Sequence, residues 1–319
     1  MIEELRLALG GEGTGNIVSL SRLRQVVAMS GNNIQMCSGR QEDATEFINL
    51  FLHCLPRQFI ESFMFTEFVE RKFWLNNQPV ACPTCNSMPS PSRDERSVLE
   101  LPITDSTRVF YLSELLNQYF SPKISDSGLR CSECCPHSTS CPGTDVRCTL
   151  HPFSEQRHVI KFPNHMIVQL KRYRLTESLQ IVKIKTPVIA SEVVNINNER
   201  FKLIGILNHQ GEYGHGHYTT VLKQLDDWIL YNDYSPPKLI PVENLSTSDN
   251  YVFLFEKIVS ESQLNDVIIE IETNPETPRS SIDLGKREAN VPIIEHSHLN
   301  ISPRKPVYLH TVPIFTFIG

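Results

Sequence analysis

GEYGHGHYTTVLKQLDDWILYNDY, residues 211–234, holds two strand-like runs, HYTTVLKQ and DWILYN, on either side of Leu225 and Asp226. The pattern predicts an antiparallel hairpin centred on those two residues. Pairing across that centre sets His217 opposite Tyr234 and diagonal to Asn232. Positions 232 and 234 then share a face with His217 while Asp233 points away. A slip of one residue exchanges Asn232 for Asp233. Either partner fixes the imidazole tautomer and leaves the second ring nitrogen to take a proton from a thiol. Gly214 and Gly216 give the chain room to turn or let a substrate backbone approach. Tyr218 and Trp228 are expected to flank the site. The competing reading is a histidine near a hairpin end, satisfied by local hydrogen bonds.

Working outward, HMIVQLKRY (165–173), FKLIGILNH and YVFLFEKI are further strand candidates separated by turn signals, and together they predict an antiparallel sheet. Upstream, CSGRQEDATEFINLFLHCL (37–55) is the clearest helix. Ser38 is its expected cap, with Gln41 completing a capping box. Ala44, Phe47, Ile48, Phe51, Leu52 and Leu55 recur at helical spacing, and Pro56 marks the stop. FMFTEFVERKFW and SVLELPI read as strands around a proline-rich loop. TRVFYLSELLNQYF reads as a second helix. MIEELRLAL and LSRLRQVV are shorter helical pieces near the start. After Lys257 the pattern decays into a mobile tail, closed by the apolar run KPVYLHTVPIFTFIG.

The chain has 319 residues, 40% of them hydrophobic, enough for a substantial core in one divided domain or two. A formal net charge of −6 weighs against a nucleic-acid partner and is compatible with a basic protein partner. No run reaches the roughly 18 apolar residues of a membrane-spanning helix. The first residues lack the pattern of a secretory signal. Oligomeric state is not legible.

Nine cysteines include two C-x-x-C pairs, Cys82-Pro-Thr-Cys85 and Cys131-Ser-Glu-Cys134. Each pair can grip one edge of a metal, and four thiolates suit tetrahedral Zn2+. Metal binding ranks above redox chemistry, because nothing around either pair resembles a thioredoxin context. The pairs argue for a reducing compartment, the cytoplasm and/or nucleus. Cys135, His137, Cys141, Cys148 and His151 leave an alternative ligand set open. His158 and His165 read as local structural residues. The segment 121–148 has too few spaced apolar residues to hold itself by core packing, a deficit that a metal can offset.

Three separated blocks resemble one family, the ubiquitin-specific proteases. GRQEDATEFINLFLHCL resembles their QQDA-x-EF helix, HMIVQLKRY their LKRF strand, and GHGHYTTVLKQLDDWILYNDY their histidine box. The paired C-x-x-C pattern resembles their zinc-bearing fingers. The resemblance implies an α+β, papain-like cysteine protease fold over residues 1–257. A partial helical thumb (1–62), β fingers with an intervening helix (63–160) and an antiparallel palm (161–257) precede a largely disordered tail (258–319). By the same resemblance His217 is the general base, Asn232 orients it, and Asp233 is a polar helper. Gln41, Asp43, Glu46 and Phe47 match the thumb motif, and Cys82, Cys85, Cys131 and Cys134 the metal ligands. The implied activity is hydrolysis of the isopeptide or peptide bond at the C-terminus of ubiquitin, held between fingers and palm.

The family's cysteine box, GLxNLGNTCYxNS, is absent from the sequence, and with it the nucleophile. Cys37 immediately precedes the helix, where the family pattern assigns no nucleophile; Cys54 lies late within it beside the expected core; and Cys135, Cys141 and Cys148 could serve only in a rearranged fold. The chain as given is therefore expected to be an inactive, N-terminally incomplete piece of a deubiquitinase. The alternatives are a catalytically inactive ubiquitin-binding relative and a zinc-stapled interaction module of no protease ancestry.

Overall fold

The computed structural model describes residues 25, 27–29, 43–134, 150–233 and 235–259. The expected tail beyond Val259, the cap at Ser38, Gln41 and Cys37 lie outside these residues, as do Cys135, His137, Cys141, Cys148 and Tyr234.

Helix α1 spans Ala44–Cys54. Its cap is Asp43, not Ser38: Asp43 has extended backbone angles, and its Oδ1 accepts from the amides of Thr45 and Glu46. Asp supplies the acceptor directly at the helix start, which satisfies two amides that have no partner within the helix. The chain leaves the helix at Leu55, and Pro56 starts the single turn α2 (Arg57–Ile60). Ala44, Ile48, Phe51 and Leu52 are buried as the spacing requires, while Phe47 and Leu55 are only partly covered. Helix α3 spans Leu112–Phe120 and buries Leu112, Leu115, Leu116 and Tyr119.

The larger sheet has the strand order β16 (Ser235–Ile240), β15 (Asp227–Asn232), β14 (His215–Gln224), β13 (Glu199–Glu212), β17 (Asn250–Lys257), β8 (His165–Lys171) and β4 (Val98–Pro102), with β12 (Val193–Ile196) also paired to β13. All these pairings are antiparallel except that of β4 with β8, which is parallel. The segment expected as fingers thus contributes β4 to this sheet. The central strands read as unbroken apolar runs because both faces are covered. On β8 and β17, Met166, Val168, Phe253 and Phe255 enter the core that holds α3. Ile167, Val252 and Leu254 enter the core under α1.

The smaller sheet runs β2 (Gln78–Val80), β1 (Phe65–Leu75), β7 (His151–Lys161), β6 (Lys123–Leu129), with β3 (Ser92–Arg96) also on β1. β2 and β3 occupy the stretch expected to be loop throughout, because pairing with β1 can recruit short polar segments that lack an apolar alternation of their own. Two short pairs complete the fold: β9 (Tyr173–Leu175) with β10 (Ile181–Lys183), and β5 (Phe110–Tyr111) with β11 (Val188–Ile189).

A buried ionic cluster joins the smaller sheet to α3. Glu67 on β1 has no solvent exposure. It accepts from the Tyr119 hydroxyl at 2.5 Å and from Arg157 Nη1 at 3.2 Å, with Arg96 Nε at 3.7 Å. Arg157 and Arg71 also hold Glu155. A buried carboxylate needs such partners, since an unpaired charge is strongly disfavoured in the interior.

Candidate active site and metal cluster

The hairpin forms in the expected register. Gln224 faces Asp227 and the ladder continues to Thr220 opposite Tyr231. Leu225 takes the positive φ of 54° that closes the turn. Beyond Tyr231 the strand is irregular, with a register shift against β16 between Leu230 and Asn232. Asn232 still reaches the histidine: His217 Nε2 lies 2.7 Å from its Oδ1. An amide oxygen only accepts, so Nε2 carries the hydrogen and Nδ1 of the neutral ring is left with a lone pair.

Asp233 departs from expectation. Strand alternation turns it away from His217, but Asp233 adopts a φ of 44° in the turn after β15, and its Oδ2 stands 3.7 Å from His217 Nδ1. Asp is one of the few residue types that tolerates this left-handed backbone. The two ring nitrogens thus face different partners, an amide on one side and a carboxylate just beyond hydrogen-bond range on the other.

The neighbouring expectations divide. Gly214, with φ of 78°, makes the β13–β14 turn. Gly216 provides no room: a Cβ there would lie 2.1 Å from the Gln210 carbonyl oxygen and 2.6 Å from His209 Nε2. Trp228 does not flank the histidine; it is buried in the core on the α3 side. Tyr218 packs toward α1, and its hydroxyl accepts from the Ala44 amide at 3.4 Å.

The thumb motif meets the same region. Asp43 spends Oδ1 on its own helix and Oδ2 on the hydroxyl of Tyr251 at 2.5 Å. Burial, with the Asp43 charge behind it, pushes the Tyr251 hydroxyl pKa well above the usual phenol range. Glu46 is exposed in the first turn and Phe47 stacks near Phe51 at 6.3 Å.

The four cysteines of the two C-x-x-C pairs converge. Cys82 with Cys85 and Cys131 with Cys134 bring their sulfurs within 4.8 Å of one another. Cys82–Cys134 and Cys85–Cys131 are 3.7 and 3.6 Å apart. Zn–S bonds of about 2.3 Å in a tetrahedron place sulfurs about 3.8 Å apart, so the donor set fits a zinc ion and is too open for disulfides. Hydrogen bonds from Ser87 pull the Cys85 thiol down to about 6, while burial and the neighbouring sulfurs push the Cys131 and Cys134 thiols up in the metal-free cluster. His151 instead packs edge-on against Phe73. His165 is structural as expected: its Nδ1 lies 3.1 Å from Ser62 Oγ and its ring stacks on Phe63. His158 sits opposite Phe68 in the β1–β7 ladder.

Sequence reading passed over His209, Tyr173 and Lys183. Tyr173 closed a strand motif and His209 ended another, and nothing in their spacing pairs them. In the fold the Tyr173 hydroxyl lies 2.8 Å from His209 Nδ1, and Lys183 Nζ donates to the His209 carbonyl.

Known proteins share this architecture. Residues 3–255 match the family described as ubiquitin carboxyl-terminal hydrolase. The chain belongs to that family and has its ubiquitin-specific protease fold, mostly β with few helices and a four-cysteine finger cluster. It is 22% identical over 267 residues to ubiquitin carboxyl-terminal hydrolase 36 of Drosophila mojavensis, covering 77% of this chain and 20% of that protein. The Drosophila simulans counterpart is 22% identical over 264 residues, covering 76% and 24%. The chain therefore spans only about a fifth to a quarter of the length of these relatives. Among solved structures, the SAGA DUB module Ubp8/Sgf11/Sus1/Sgf73 bound to monoubiquitin matches with a TM-score of 0.58 at 20% identity, covering 82% of this chain and 58% of that one. The same module bound to ubiquitin aldehyde gives 0.58, 20%, 82% and 59%.

Proposed function

We propose that this chain forms the ubiquitin-holding and general-base portion of a cysteine-type deubiquitinase. The observation that carries the reading is the 2.7 Å contact of His217 Nε2 with Asn232 Oδ1, which presents Nδ1 as a base. In the reaction, Nδ1 takes the proton of an attacking thiol. The thiolate adds to the carbonyl of the terminal glycine of ubiquitin, and the lysine or peptide amine leaves with the proton from His217. Water then cleaves the thioester. The Asp233 carboxylate stands 3.7 Å from Nδ1, beside the nitrogen that takes the proton in this reading. Zinc on Cys82, Cys85, Cys131 and Cys134 is structural: it ties the two C-x-x-C segments together and takes no part in the chemistry.

The five described cysteines do not supply the attacking atom in this reading. Cys54 donates to the Leu50 carbonyl within α1, and the other four make up the finger cluster. The same accounting favours a second reading, a ubiquitin-binding relative without hydrolytic activity. A ubiquitin C-terminal electrophile separates the two. The first reading expects no adduct on this chain and an adduct, lost in His217→Ala, on a version extended upstream. An extended version that binds ubiquitin and stays unlabelled supports the second. Labelling of this chain at one of its own cysteines contradicts both.

A further inference from the structure

His209 lies on β13 with its ring almost wholly covered, one cross-strand step from the candidate base: Gln210 pairs with His217 and His209 with Tyr218. Three contacts fix the ring. The Tyr173 hydroxyl holds Nδ1 at 2.8 Å. The Tyr218 ring packs at 4.6 Å between centroids. On the third side the ring lies against the Gly216 backbone so closely that a Cβ there would stand 2.6 Å from Nε2 and 3.0 Å from Cε1. The same added Cβ would stand 2.1 Å from the Gln210 carbonyl oxygen on β13. The residue immediately before His217 thus has no room for a side chain beside the partner strand and the imidazole.

We propose that His209, hydrogen-bonded to Tyr173, is a positioning residue whose ring braces Gly216 and thereby sets where the His217 imidazole meets Asn232. The proposal rests on the reading of His217 as a base. Charge supports the geometry. Burial first, and the Lys183 ammonium second, pull the His209 pKa down to about 4, against the opposing carboxylates of Asp43, Asp249 and Glu212. Burial, with Asp43 and Glu212 behind it, pushes the Tyr173 hydroxyl up to about 12. Tyr173 and His209 are therefore both held neutral near neutral pH, and the hydrogen bond between them carries no net charge. A brace that stayed neutral adds no positive charge beside a base that must itself become cationic. Tyr218 and Tyr251, the other titratable rings packed on His209, are likewise held neutral.

The test is the tautomer of His217 in the full, zinc-loaded chain, read from imidazole nitrogen shifts with nitrogen-15 histidine. The parent protein is expected to hold a single Nε2–H form. Tyr173→Phe, which deletes one hydroxyl, is expected to lower the ratio of that form to its alternative by about fivefold, the equivalent of about one neutral hydrogen bond. His209→Ala lowers it further. Both leave the amide spectrum of the smaller sheet in place. If Tyr173→Phe keeps the parent ratio, the proposal is overturned, whether or not His209→Ala folds, while the His217–Asn232 pair stands. A mixed tautomer in the parent instead removes the reading of His217, and the brace with it.

Discussion

Strand β17 of the palm sheet buries Phe253 and Phe255 on one face and Val252 and Leu254 on the other, whereas β7 of the finger sheet, three residues longer, buries Val159 alone. The palm therefore has two cores, one under α1 and one under α3. The fingertip has Phe73, Cys82 and Cys131, with Val80, Leu129 and Cys134 half-covered around them. Full burial of a Leu or Phe contributes roughly 1.5–3 kcal/mol, so the palm can hold by apolar area and the fingertip cannot. One sheet is closed by packing and the other by a set of thiols. Where they join, Phe65 and Val159 of the finger sheet enter the core that holds α3, and beside them Glu67 and Tyr119 meet the partly exposed Arg157 and Arg96 in a polar cluster.

That contrast is easiest to break at the fingertip. Chelation of zinc, or Cys82→Ser, removes an interaction with an apparent value of about 10–16 kcal/mol in small zinc domains. Hydrogen exchange is expected to show β2 and the Cys82–Cys85 and Cys131–Cys134 segments opening while β8, β13 and β17 keep their protection. Palm strands that opened equally would mean the two sheets are not held independently. The joint comes next. Glu67→Gln removes the one buried charge of the cluster; its arginine partners are partly exposed and Arg157 keeps Glu155, so the expected cost in a denaturant titration is about 3 kcal/mol, the low end for a broken buried pair. An effect within the range of a surface substitution would show that the cluster is solvated rather than buried.

A smaller effect belongs to the palm alone. His209 is expected to have a pKa of about 4 in the folded chain and near its ordinary 6.5 when unfolded. The unfolded chain then binds the extra proton between those values, so this contribution is complete above about pH 6.5 and is lost as pH falls toward about 4. It amounts to up to about 3 kcal/mol. Lys183→Met should shrink this acid dependence, because the Lys183 ammonium is the second cause of the shift, and a profile unchanged by the substitution would separate His209 from Lys183. The smallest effect on stability is that of Asn232→Ala, about 1 kcal/mol or less for one partly exposed hydrogen bond. Its chief consequence is expected at the His217 tautomer, and a melting temperature lowered by many degrees would instead make Asn232 a structural residue.

The sequence showed the palm well because apolar runs such as HMIVQLKRY and YVFLFEKI carry their own periodicity, and the hairpin centre at Leu225 and Asp226 followed from two clean alternations. The approach of Asn232 to His217 followed from the same register. Asp233 did not, because a single left-handed residue reverses the direction that alternation assigns. Trp228 was misplaced for a related reason: a residue near a hairpin can face the core as readily as the site. The cap at Asp43 was hidden by an equally good capping signal at Ser38 and Gln41. The C-x-x-C pairs announced their own convergence, since spacing alone makes each a claw. The cluster around Glu67 and the Tyr173–His209 pair were illegible, because their members come from strands and helices far apart in sequence and are joined only by tertiary packing.

The most direct test of the whole account is a calorimetric titration of the zinc-loaded chain with ubiquitin, run beside ubiquitin lacking its C-terminal Gly-Gly and beside the chelated chain. Saturable binding to intact ubiquitin, weakened by removing either the Gly-Gly end or the metal, is the result that the proposed function predicts. Absence of binding to the folded, zinc-loaded chain, or binding indifferent to both changes, would contradict it.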